Sequence, residues 1–138
     1  MTILRGTYGG WAKLLGRTTQ ENPNTKMYLH DVAYGADPEV TAATGSTQAT
    51  GYKVTKTFTE IGTCANAGDA LTLPQCKIVG TAYHIKNNGA NSADIFPPVG
   101  GNIDDAGANT ATAVANTAKN TFVLMSYTST PTSVWVTF

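Results

Sequence analysis

The residues able to support acid–base or nucleophilic chemistry are few, and their spacing does not suit it. Histidine occurs twice, as His30 and His84. His30 precedes Asp31, but neighbouring residues of a strand point to opposite faces, so these two side chains are not expected to form a proton relay. The alternation in residues 81–86 predicts that His84 is an ordinary polar strand residue that faces outward or towards another subunit.

The acidic residues also fail to form a catalytic or metal-binding pattern. Asp104 and Asp105 lack the full ligand spacing of a known calcium loop, which favours a turn with solvated acids. Asp94 and this pair offer no persuasive arrangement of two carboxylates for glycoside hydrolysis. Phosphate-binding loops and nucleophile elbows are missing from the sequence. We therefore predict that the protein is not an enzyme and that it uses no cofactor and no metal.

Charge and cysteine content narrow the expected partners. The 138 residues carry nine basic and nine acidic side chains, a formal net charge of zero. Nucleic acid is not an expected partner, because binding to phosphates normally needs a basic excess. A neutral chain also lacks the repulsion that keeps copies apart, which favours self-association. Cys64 and Cys76 have no CxxC spacing; two free thiols in a reducing cytoplasm are favoured, and a disulfide stays open.

Membrane association is not expected from the sequence. Residues 1–20 contain no apolar run typical of a signal peptide. Elsewhere no apolar stretch approaches the length of a membrane-spanning helix, which is about 18 residues.

Most of the chain has the composition of β structure. Threonine favours strands, and the 14 glycines, with many asparagines, supply turns. Alternating or short apolar runs predict strands at residues 51–61, 71–73, 81–86, 113–115, 121–125 and 134–138. About five to eight short strands at this spacing predict an all-β fold, either a compact β-sandwich or a small, jelly-roll-like β-barrel.

One connection is predicted in detail. The sequence Asn87-Asn88-Gly89 lies between the alternating run 81–86 and the apolar residues Ala93, Ile95 and Phe96. A type I′ turn needs positive φ at both central residues, and Asn-Gly supplies it. The segment is therefore predicted to be a β-hairpin.

The N-terminal part differs from the predicted β domain. We assign residues 1–42 to an extended arm and linker and residues 43–138 to the domain, with residues 31–50 expected to be a loop that buries little. The arm is basic, and Trp11, Leu14 and Leu15 form one apolar stripe at helical spacing. One helical turn is not stable alone, so it must pack on something.

Aromatic and arginine side chains are common anchors of protein interfaces. We therefore predict that the arm docks on an acidic partner surface rather than being a free terminus with scattered charges. The predicted contact residues are Arg5, Tyr8, Trp11, Leu14, Leu15 and Arg17.

Five stretches of the domain resemble, in the same order, stretches of small structural proteins of tailed bacteriophages. They are Ala43–Thr50 (ATGSTQAT), Gly68–Pro74 (GDALTLP), Ile85–Ala90 (IKNNGA), Ile95–Ile103 (IFPPVGGNI), and Phe122-Val123 followed by Trp135. The resemblance spans residues 43–138. His84, Cys76 and residues 1–42 are not part of this pattern.

The resemblance implies an all-β module that commonly trimerises on the surface of the virion. We accordingly expect a capsid decoration (cement) protein, made in the host cytoplasm, that binds the major capsid protein of the phage head and clamps neighbouring subunits through its arm. A homotrimer is the expected assembly. The alternative is a head-fibre or tail-fibre module that recognises host glycans, with Tyr127 and Trp135 as candidate exposed aromatics.

Overall fold

The computed structural model describes residues 35–45, 47–128 and 133–138, and these residues form ten β-strands and no helix. The strands are β1 (Ala36–Thr41), β2 (Tyr52–Lys53), β3 (Phe58–Thr63), β4 (Asp69–Thr72), β5 (Ala82–Asn87), β6 (Ala93–Phe96), β7 (Asn102–Ile103), β8 (Thr112–Val114), β9 (Lys119–Tyr127) and β10 (Ser133–Thr137). The predicted all-β fold is confirmed.

The chain alternates between two sheets. The order is β1-β3-β5-β9-β10-β7 in the six-stranded sheet and β2-β4-β6-β8 in the four-stranded sheet. Each strand from β2 to β9 therefore lies in the sheet opposite that of the strand before it. Strands β1, β3 and β5 run parallel, as do β2, β4 and β6. Strand β9 is antiparallel to both of its neighbours, β5 and β10. The first six strands therefore form a coil that takes one strand from each sheet per turn.

The inner faces of the two sheets share one apolar core. Its fully buried members from the six-stranded sheet are Ile61, Ile85, Ile103, Phe122, Leu124 and Trp135, and those from the four-stranded sheet are Leu71, Ala93, Ile95 and Val114. Alternate residues of a strand point to opposite faces, so one side of each strand fills this core. Two sheets packed around a common core are the arrangement of a β-sandwich.

The prediction that residues 31–50 form a loop is wrong for Ala36–Thr41, which is strand β1. This strand pairs with β3 at the edge of the six-stranded sheet and buries Val40. Its register shifts between Asp37 and Val40, and Glu39 has a positive φ of 57°. The irregularity removes the alternation by which a strand is recognised in a sequence. Pro38 also argued for a loop, but a strand at the edge of a sheet tolerates proline.

The hairpin predicted at Asn87-Asn88-Gly89 is also wrong, because β5 and β6 lie in different sheets. Neither Asn88 nor Gly89 has positive φ. Instead, the Asn87 Oδ1 atom accepts a hydrogen bond of 2.8 Å from the Gly89 N–H, which turns the chain towards the other sheet. Gly89 is needed here for space, since a Cβ would lie 2.5 Å from the backbone nitrogen of Cys64.

The single strand predicted at 51–61 is two strands, β2 and β3, in different sheets. Val54 is buried, whereas Phe58 points outward and is 47% exposed. The other predicted strands are present as β4, β5, β8, β9 and β10.

Candidate functional site

The outer face of the six-stranded sheet carries a row of cross-strand neighbours. Strand register places Ala36 opposite Phe58, Phe58 opposite His84, and His84 opposite Thr121. Two backbone hydrogen bonds of 2.9 and 3.1 Å then join Thr121 to Phe138. Directly opposed residues share a face of the sheet, so this row brings two phenylalanines and one histidine onto a single surface.

His84 is held between two neighbours in this row. Its ring stacks on Phe58 with a centroid distance of 4.8 Å and an interplanar angle of 13°. On the neighbouring strand, the Thr121 hydroxyl lies 2.9 Å from the imidazole Nδ1 atom. His84 therefore faces outward, as predicted from the alternation, and the two contacts fix the orientation of its ring.

A groove of about 520 Å³ opens above the row. Phe58, His84 and Phe138 supply its aromatic surface, and Phe138 is 75% exposed. An aromatic surface of this kind on a sheet face suits contact with apolar side chains of another protein segment.

Charged residues form a second row beside the groove. Glu60, Lys86 and Lys119 are opposed on β3, β5 and β9. The Lys86 Nζ atom lies 3.6 Å from a Glu60 carboxylate oxygen. Asp37 lines the groove from β1, so both signs of charge border the aromatic surface.

Asp37 also links strand β1 to the segment that contains β2. Its Oδ2 atom accepts hydrogen bonds from the Tyr52 hydroxyl at 3.0 Å and from the Thr55 hydroxyl at 3.3 Å. Burial of the Tyr52 ring raises its pKa, and the hydrogen bond and negative charge of Asp37 raise it further. The contact holds β1, in one sheet, against β2, in the other.

A turn before β5 presents a second exposed apolar feature. The Ile78 carbonyl accepts hydrogen bonds from the Thr81 N–H at 3.1 Å and the Thr81 hydroxyl at 2.7 Å. Gly80 has a φ of +90°, which favours glycine, and its N–H donates to the Leu124 carbonyl. Ile78 and Val79 are 74% and 58% exposed on this well-anchored turn.

The residues predicted to contact the capsid, from Arg5 to Arg17, lie outside the described residues. Trp135, proposed above as an exposed aromatic, is 0% exposed, so that prediction is wrong. It occupies a core-facing position of β10, and its Nε1–H donates to the Ser133 hydroxyl at 2.9 Å. Tyr127 is half-buried, with the Lys77 Nζ atom 5.8 Å from its ring centroid.

The remaining candidates have structural roles. Asp104 and Asp105 occupy an exposed turn, with φ of 50° and 57°, as predicted. Both oxygens of Asp104 accept hydrogen bonds from Thr137, one from its N–H at 2.9 Å and the other from its hydroxyl. Cys64 is buried and Cys76 half-buried, and both are free thiols.

The sequence patterns missed the groove because it depends on the register of β3, β5 and β9, which local alternation does not specify. No local pattern marks Phe58 as outward-facing, because the break between β2 and β3 decides which side of β3 is buried.

The sequence matches no protein-family model, and comparison with curated proteins gives no match. Within residues 35–45, 47–128 and 133–138, no three His, Cys, Asp or Glu side chains are grouped so that they could hold a metal ion. The same part of the chain has no helix that is long and apolar enough to cross a membrane.

Proposed function

We propose that the protein is a capsid decoration protein of a tailed bacteriophage, which binds the outside of the head and stabilises contacts between major capsid subunits. The observation that carries this proposal is the resemblance of five ordered stretches within residues 43–138 to small structural proteins of these phages. The all-β, two-sheet domain agrees with that class. Fold alone does not specify function, so the capsid contact needs its own test.

In this proposal the N-terminal arm makes the capsid contact. Arg5 and Arg17 would pair with acidic groups of the capsid, while Trp11, Leu14 and Leu15 would bury their apolar stripe against it. A ligand that binds only the assembled shell stabilises that shell by about 2.7 kcal/mol when its free concentration is 100-fold above Kd. Clamping therefore needs no catalysis and no cofactor.

Self-association would strengthen the clamp. We propose a homotrimer, in which three arms are linked through the domains. Once one arm is bound, the other two bind at a high effective concentration, so a weak single arm still gives firm attachment. The formal net charge of zero is compatible with close approach of the copies.

The decisive experiment mixes the purified full-length protein with undecorated heads. We expect co-sedimentation and a raised melting temperature of the particles. A variant lacking residues 1–20 should lose both effects, as should Trp11→Ala, whereas the arm variant Asn22→Ala should behave as the unmodified protein.

Two outcomes would contradict the proposal. Unchanged binding after removal of residues 1–20 would mean that the arm is not the clamp. Failure to bind heads, together with binding to host cells or glycans, would support the alternative host-recognition module.

A further inference from the structure

The corner between β5 and β6 contains the one Asn-Gly pair of the sequence, Asn88-Gly89. The Asn88 side chain is exposed, whereas Gly89 is buried. Asparagine followed by glycine is the pair most prone to deamidation, because glycine has no Cβ to shield the backbone nitrogen that attacks the asparagine side chain. The pair is therefore a candidate site of covalent modification, and it is separate from the proposed contact with the capsid.

Deamidation here needs only the chain itself, hydroxide and water. Hydroxide removes the proton from the Gly89 backbone nitrogen, and this nitrogen attacks the Asn88 Cγ atom. The new N–Cγ bond closes a cyclic imide, while the Cγ–Nδ2 bond breaks and the leaving nitrogen takes a proton from water to become ammonia. Water then adds to either imide carbonyl. The products are an aspartyl residue and an isoaspartyl residue, whose main chain is longer by one methylene.

In the folded protein the attacking nitrogen is held by Asn87. The Gly89 N–H donates a hydrogen bond of 2.8 Å to the Asn87 Oδ1 atom, and Asn87 is 0% exposed. A buried N–H bound to a buried oxygen loses its proton to hydroxide only when the structure opens locally. The nucleophile is therefore not generated while this hydrogen bond lasts.

Packing opposes ring closure as well. The Asn88 N–H donates to the Ile61 carbonyl oxygen at 2.8 Å, which fixes the backbone before the pair. After it, Gly89 lies so close to Cys64 that a Cβ on the glycine would be 2.5 Å from the Cys64 backbone nitrogen. Formation of the imide moves the Gly89 nitrogen towards the Asn88 side chain and away from Asn87. The reaction therefore requires that the corner opens.

From these contacts we propose that Asn88 is a latent deamidation site, and that the Asn87 side chain suppresses the reaction in the folded protein. Chains with an open corner, before folding is complete or during local opening, convert at Asn88. The aspartyl product carries its new charge at an exposed position, where substitutions cost little stability. The isoaspartyl product lengthens the main chain where Gly89 packs against Cys64, so we expect it to prevent the corner from closing.

The test follows loss of the Asn88 amide in the purified full-length protein, which is kept in mildly alkaline buffer. Mass spectrometry of the tryptic peptide that follows Lys86 distinguishes the amide from its two products. We expect conversion at Asn88 to be at least about tenfold slower in the native protein than in the protein unfolded by urea. Asn88→Gln is the chemical control, since its longer side chain closes an imide much less readily, and it should stay unconverted in both states.

Two substitutions of Asn87 separate the hydrogen-bond acceptor from general stability. Asn87→Ala removes the oxygen that holds the Gly89 N–H together with both donors of the amide. Asn87→Asp removes the same donors and buries a charge, but it keeps an oxygen as acceptor. We expect Asn87→Ala to convert at Asn88 about tenfold faster than the unmodified protein, which is the effect of losing one hydrogen bond. Asn87→Asp should convert more slowly than Asn87→Ala.

Hydrogen exchange of the Gly89 amide gives a second measurement, which needs no variant. Exchange begins with removal of the same proton, so this amide should exchange at least about tenfold more slowly in the native protein than in the unfolded protein. If Asn87→Ala does not fold, as judged by circular dichroism, this measurement decides.

Three results would overturn the inference. The native protein could convert at Asn88 as fast as the unfolded protein, or Asn87→Asp could convert at least as fast as Asn87→Ala. The Gly89 amide could also exchange as fast in the native protein as in the unfolded one. None of these measurements involves capsids, so the proposed function stands or falls separately.

Discussion

The side-chain amide of Asn87 donates a hydrogen bond of 2.9 Å to the backbone carbonyl oxygen of Val114, and it thereby joins β5 of the six-stranded sheet to β8 of the four-stranded sheet. The same Nδ2 atom donates to the Asn91 carbonyl at 2.8 Å. With the Gly89 N–H bound to its Oδ1 atom, Asn87 makes three hydrogen bonds while 0% exposed. One buried amide thus fixes the corner between the sheets.

Asn87→Asp should lower the free energy of unfolding by about 2–4 kcal/mol, because it removes two donors and places a buried carboxylate against two carbonyl oxygens. The exposed neighbour provides a matched control, and Asn88→Asp should change stability by less than about 0.5 kcal/mol. Urea denaturation measures both. Equal midpoints for the two variants would show that the Asn87 hydrogen bonds contribute little.

Gly89→Ala should destabilise the domain through steric overlap. The added Cβ would lie 2.5 Å from the backbone nitrogen and 2.6 Å from the Cβ of Cys64, so the backbone must shift. Overpacking of this kind costs about 1–3 kcal/mol. Thermal melts measure the effect, and Ala90→Ser is the control. This substitution also adds one heavy atom, but at an exposed position, so it should leave the melting temperature nearly unchanged. A melting temperature for Gly89→Ala equal to that of the control would refute the close approach.

Trp135 should report on the core and not on ligands. The chain has two tryptophans, so Trp11→Phe leaves Trp135 as the only one. Its fluorescence should be blue-shifted and resistant to aqueous quenchers until the protein is unfolded. Trp135→Ala should cost about 3–5 kcal/mol in stability. Efficient quenching of the Trp135 fluorescence in the native state would contradict the burial of this side chain. A change in that fluorescence on adding glycans would contradict it as well.

Stability should fall in alkaline solution. Burial raises the pKa of Cys64 above its ordinary value of 9.0, and burial also raises the pKa values of Tyr52 and Tyr83 above 10.0. The folded state holds these protons more tightly, so their contribution is complete below the unfolded pKa values and is lost as pH rises through the folded ones. Melting temperatures should therefore decline from about pH 9 upward.

The thiol and phenol contributions can be separated. In Cys64→Ala the decline should begin nearer pH 10, because of the three groups named above only Tyr52 and Tyr83 remain. An unchanged melting temperature of the original protein up to pH 11 would contradict the raised pKa values, and an unchanged onset in Cys64→Ala would exclude the thiol.

Local sequence patterns identify strands and their buried sides, but not the strands with which they pair. Residues 121–125 and 134–138 were predicted as strands because β-branched and aromatic residues concentrate there, and Phe122 and Trp135 fill the core. The parallel coil was not predicted, since contacts between β1, β3 and β5 join residues far apart in the chain. Asn88-Gly89 failed as a hairpin signal because the Asn87 side chain supplies a different turn.

The candidate groove could not be predicted for the same reason. Its lining residues come from four strands, β1, β3, β5 and β9, together with Phe138, so the groove depends on how distant strands pair. Continued alternation from Tyr52 and Val54 would place Phe58 on the inner face. A break between β2 and β3 resets which side is buried. By contrast, the prediction of a contact surface from Arg5 to Arg17 depends only on local composition and needs no register, and it stays a prediction because these residues lie outside the described part of the chain.

Strand β9 lies in the middle of the six-stranded sheet, between β5 and β10, although it is the last but one to be synthesised. While the ribosome is making the first eight strands, the edge of β5 that β9 will occupy has no partner. The six-stranded sheet can therefore be completed only near the end of translation. A chain interrupted before Lys119 would keep an open strand edge, which is a site for aggregation rather than assembly.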